Sequence, residues 1–67
     1  MENDWVSIYE TPEEHIAELA RAHLINNGIE AVVMNKKDRT YQMGFVEVYV
    51  IRDNVIRGKK ILEELEG

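Results

Sequence analysis

The stretch Thr11-Pro12-Glu13-Glu14-His15-Ile16-Ala17-Glu18-Leu19-Ala20-Arg21-Ala22-His23-Leu24-Ile25-Asn26-Asn27-Gly28 carries both a helix start and a helix stop. Thr11 suits an N-cap, Pro12 sits at the first helical position where no amide donor is needed, and Glu14 completes a capping box. Glu13 and Glu14 also stand at the positive end of the helix dipole. The spacing predicts a helix to about Asn27, ended by Gly28 in the left-handed conformation. At about 100° per residue, Ile16, Ala17, Ala20 and Leu24 share one face with Leu19 on its flank, and Glu14, Glu18 and Arg21 lie opposite.

Strand signals flank this helix. Residues 5–9 (Trp-Val-Ser-Ile-Tyr) and 29–35 are rich in β-branched and aromatic side chains, and residues 45–51 form the most apolar run. Asp53 then caps a last helix through about Leu65, with Val55, Gly58, Ile61, Leu62 and Leu65 as its inner stripe. Gly58 costs that helix about 1 kcal/mol against alanine, which close approach to the sheet would offset. The order is β-α-β-β-α. A crossover followed by a hairpin gives an α+β fold of the ferredoxin-like split β-α-β plan: a three-stranded antiparallel sheet in the order second, third, first, with both helices on one face.

Length and charge bound what such a chain does. Sixty-seven residues make one domain, 1–67, and a chain this short buries only roughly 60% of its unfolded surface. Without cysteine there is no disulfide framework and no thiolate chemistry. No apolar run exceeds four residues, as in Ala31-Val32-Val33-Met34, so none spans a membrane. The start, Met1-Glu2-Asn3-Asp4, is acidic, the reverse of a secretory signal, so a cytoplasmic location is expected. The net charge of −5 argues against nucleic-acid and anionic-membrane binding. Residues 1–35 carry seven acids and one base, residues 36–60 seven bases and three acids, and three acids follow. This unevenness reads either as scattered solubilising charge or as an electropositive patch for an acidic partner or a second copy.

Alternation along the strands speaks most directly to function. Val46, Val48 and Val50 point one way and Phe45, Glu47, Tyr49 and Ile51 the other; Val6 and Ile8 oppose Trp5, Ser7 and Tyr9. The aliphatics suit the helix-covered side, which leaves Trp5, Tyr9, Phe45 and Tyr49 on the open side as candidate interaction residues. The residues 31–34 fit either face. Such an aromatic patch is larger than a small monomer usually exposes. It is covered by another protein surface, by residues 36–44 folding back with Tyr41 and Met43, or by a ligand or stacked bases. The first strand is also an edge open to strand addition. A homodimer through this face or edge is the expected partner arrangement.

Catalytic and metal constellations do not emerge. His15 and His23 lie two helical turns apart rather than the one turn of a helical zinc pair. His23 beside the apolar stripe reads as a packing residue and His15 as solvated. Ser7, the only serine, sits mid-strand without a sharp-turn context. Gly28, Gly44 and Gly58 match no phosphate-binding pattern. No catalytic, cofactor or metal residue is nominated, and no enzyme activity is expected. Lys36, Lys37 and Arg39 form the one local basic cluster, which either binds an anionic metabolite or nucleotide or solvates a turn. Gly44-Phe45-Val46-Glu47-Val48 is similar to half of the third-strand motif of RNA-recognition modules. Met43 and Val48 stand where that motif needs aromatics, and the basic balance is missing.

The runs Ala17-Glu18-Leu19 to Leu24 and Asn27-Gly28-Ile29-Glu30-Ala31, with Asn35-Lys36-Lys37-Asp38, Gly44, residues 46–50 and Ile61-Leu62, resemble the bacterial putative signal-transducing protein family, a small domain family of unknown function. The resemblance covers nearly the whole chain, from Trp5 to Leu65. It implies a ferredoxin-like fold, similar in shape to PII-type signal proteins, and supplies no ligand or catalytic residue. The chain departs from the family pattern at Arg52-Asp53-Asn54-Val55, where an acidic helix start is usual, and at Gly58, where alanine is.

Overall fold

The computed structural model describes residues 4–37 and 44–66. Strand β1 (Trp5–Thr11) leads into helix α1 (Glu14–Asn26), then β2 (Ala31–Asn35) and β3 (Val46–Ile51). A 3-10 turn, Arg52–Asn54, runs directly into α2 (Val55–Glu66). The sheet order is β1-β3-β2, with β3 central and antiparallel to both neighbours. This is the expected α+β architecture, with both helices against one face.

The physical reason is visible in β3. Val46, Val48 and Val50 are fully buried and meet Ala17, Ala20 and Leu24 of α1 and Leu62 of α2 in a single core. Ile29 joins them through the end of α1. Its amide donates to the Leu24 carbonyl, and the Gly28 amide donates to the Ile25 carbonyl, both at 3.0 Å. With Gly28 at φ +82° this is a Schellman cap, and Ile29 and Leu24 supply its apolar contact. Because Ile29 serves the cap, β2 starts at Ala31 rather than at residue 29.

The start of α1 differs from the expected capping box. Thr11 pairs with Val46 as the last residue of β1 and is buried. Its Oγ1 accepts from the Glu13 amide at 3.2 Å, and the helix begins two residues beyond Pro12, with Glu13 as N-cap. Ladder pairing holds Thr11 extended, so its hydroxyl closes a turn instead of capping the helix. Leu19 is 58% exposed, outside the core. In the last helix Asp53 lies within the 3-10 turn instead of capping α2. Gly58 is buried, and a Cβ there would sit 2.8 Å from Ile8 Cδ1 and 3.6 Å from Leu24 Cδ2. The close approach expected at this glycine is therefore present.

Candidate functional site

The side of the sheet away from the helices is built by register. Tyr49 lies between Ser7 of β1 and Val32 of β2, Glu47 lies between Glu10 and Met34, and Ile51 lies beside Trp5. Opposed residues in an antiparallel ladder share a face. The open face therefore carries Trp5, Val32, Met34, Tyr49 and Ile51, all half-buried. Pairing also resolves β2: Ala31 and Val33 oppose Val50 and Val48 on the helix side, and Val32 and Met34 point outward.

Tyr9 is not part of this face. The β1–β3 register shifts between Ser7 and Tyr9, so Ser7 pairs with Tyr49 but Tyr9 pairs with Val48. Ile8 and Tyr9 both pack against the core. A one-residue bulge inserts an extra position and reverses the alternation beyond it. The expectation that Tyr9 accompanies Trp5 is thus overturned. Phe45 precedes β3 and is 48% exposed. Six residue steps along the strand take it to Ile51 and the neighbouring Trp5, roughly 20 Å away. The rings lie along a stripe over β3 rather than in one cluster.

A polar group occupies the middle of that stripe. The Tyr49 hydroxyl donates to Glu47 Oε1 at 2.6 Å, and Lys36 Nζ lies 3.0 Å from the same oxygen. The ammonium is also 5.6 Å from the Tyr49 ring centroid. Lys36 is brought there because its amide donates to the Phe45 carbonyl at 3.0 Å, extending the β2–β3 pairing past Asn35 and Val46. Glu10 faces Glu47 across the ladder, and like charges so placed repel, so the lysine offsets a built-in conflict. The Tyr49 hydrogen bond first, and Lys36 second, hold the Glu47 carboxyl below its ordinary 4.5. The Tyr49 hydroxyl and the Glu47 carboxylate in turn raise the Lys36 ammonium above its usual value.

The basic cluster fares differently. Lys36 is committed to Glu47. Lys37 is half-buried, and its amide donates to Asn35 Oδ1 at 2.9 Å. Arg39, Tyr41 and Met43 lie outside the described residues, and with them the shielding loop. His15 is exposed, with Nε2 3.4 Å from Glu13 Oε2, and His23 is half-buried. Among the described residues no group of three or more histidine, cysteine or acidic side chains is placed to hold a metal. Val32, Met34 and Ile51, and the pairing of Lys36 with Glu47, are the features of this face that sequence reasoning did not nominate. Glu47 and Ile51 carried a signal through their alternation with Val48 and Val50, and Lys36 through the basic cluster; their meeting on this face did not.

A family described as "Putative prokaryotic signal transducing protein" matches residues 5–66. The chain belongs to that family. The match runs from the first residue of β1 to the last of α2, so both faces of this family member's sheet fall within it. No curated protein and no solved structure shows significant similarity to the chain. No helix among the described residues is long and apolar enough to cross a membrane.

Proposed function

We propose that this chain is a cytoplasmic, non-enzymatic regulatory domain that acts by protein contact in signal transduction, and that it forms a homodimer through the open face of its sheet. The observation that carries the reading is the composition of that face. Trp5, Val32, Met34, Tyr49 and Ile51 span all three strands on the side opposite both helices. The polar group among them suits coverage, because Lys36 neutralises Glu47 and the remaining carboxylate, Glu10, is exposed on the edge strand β1. A short chain with few core residues also gains from burying a second apolar layer. The family description supports the signalling role at its coarser level.

The test is the mass by light scattering at high micromolar concentration in high salt. The wild type is expected at dimer mass. Tyr49→Glu, which sets a second carboxylate beside Glu47, is expected at monomer mass with unchanged far-ultraviolet circular dichroism. Val32→Lys provides the same readout on another strand should the first variant fail to fold. A wild-type chain that stays monomeric overturns the reading.

A further inference from the structure

Helix α2 carries its charge in two blocks. Arg57, Lys59 and Lys60 occupy its first half, and Glu63, Glu64 and Glu66 its last turn. That order opposes the helix dipole, which favours acids at the N-terminus and bases at the C-terminus. The pairs Lys59–Glu63 and Lys60–Glu64 are one turn apart with lysine N-terminal, the weaker orientation. None of Arg57, Lys59, Lys60, Glu63 and Glu64 makes a salt bridge among the described residues. All five are exposed, and Ile56 beside them is 84% exposed, the largest value among the exposed large apolar side chains. On the helical wheel Ile56, Arg57, Lys60, Glu63 and Glu64 lie away from the buried Gly58 and Leu62. The arrangement serves neither the helix nor the protomer.

We propose that this stripe is a second self-association surface, on which α2 packs antiparallel against α2 of another copy across a two-fold axis. A basic-then-acidic stripe is complementary to itself only when reversed. An axis near Ile61 sets Lys60 against Glu63, and Arg57 against Glu64, of the second copy, each within one residue of level and twice over by symmetry. Ile56 falls over the last turn of the facing helix at each end. A contact one helix wide stays below the roughly 1,000 Å² of a stable interface, so the association is weak and transient. Its exposed ion pairs make it salt-sensitive. It lies on the opposite side of the protomer from the sheet face and stands independently of it.

Charge reversal tests it. Arg57→Glu with Lys60→Glu makes the stripe wholly acidic, and Glu63→Lys with Glu64→Lys makes it wholly basic. Each variant immobilised at low salt is expected to capture the other about tenfold better than it captures itself, with the difference vanishing at high salt. Both charge-reversed variants also carry Tyr49→Glu, so sheet-face dimerisation adds to neither capture. Circular dichroism of each variant checks folding, and the wild type, expected to capture itself more strongly at low salt than at high, gives a readout without substitution. Equal capture of like and unlike variants overturns the proposal, as does wild-type self-capture that ignores salt.

Discussion

Tyr49, Glu47 and Lys36 show how single residues reconcile a polar group with an apolar surface. Glu47 has a lowered carboxyl pKa in the folded chain, so its contribution to stability is present above the unfolded value near 4.5 and is lost as pH falls through the folded one. Lys36 has the opposite sign: its contribution is present below 10.5 and is lost as pH rises through a higher folded value. Tyr49→Phe removes the stronger of the two interactions on Glu47. The carboxyl titration of Glu47, followed by carbon chemical shift, is expected to move up toward 4.5, and the acid limb of the stability curve to flatten. An unmoved titration contradicts the geometry. Gly44 shows a second residue-scale constraint, with φ at +113° and a would-be Cβ 3.0 Å from the Lys36 carbonyl oxygen. Gly44→Ala is expected to cost about 1–3 kcal/mol in urea denaturation. The glycine was conspicuous in the sequence, but the backbone it approaches was not, because that contact joins the two ends of a long connection.

At the scale of elements, β1 holds the main lesson. Its apolar alternation was readable, and so were the existence and order of every strand and helix. The bulge was not, because an inserted position leaves no mark on a seven-residue strand whose residues suit either face; only pairing with Val48 puts Tyr9 inward. The placement has a measurable consequence. In dilute, monomeric protein Tyr9→Ala is expected to cost about 3 kcal/mol, as for a truncated core ring, and Trp5→Ala markedly less. Equal costs would mean that the two rings share one face. The bulge also blunts an edge strand, since a kinked edge is a poor template for strand addition. The start of α1 follows the same logic. A good capping sequence at Thr11 yields to the ladder because β1 runs on to meet Val46.

At the scale of the whole molecule, the two layers approach closely where Gly58 faces Ile8, Leu24 and Val50, contributed by four elements. Gly58→Ala asks only that the mobile end of Ile8 turn aside, and the helix-propensity gain of about 1 kcal/mol offsets it, so its midpoint of unfolding is expected near the wild type's. Gly58→Leu has no such escape and is expected to cost about 1–3 kcal/mol by overpacking, read as a lower urea midpoint at unchanged slope. A wild-type midpoint for the leucine variant would deny the close approach. By itself the sequence determined the order of elements, the central place of the third strand and the family, because hydrophobic period, caps and turn residues are local signals. Only the tertiary structure decided which face Tyr9, Val32 and Met34 occupy and that Lys36 joins Glu47 and Tyr49. Those outcomes rest on register between strands distant in the chain, and a shift of one residue exchanges the two faces of a sheet.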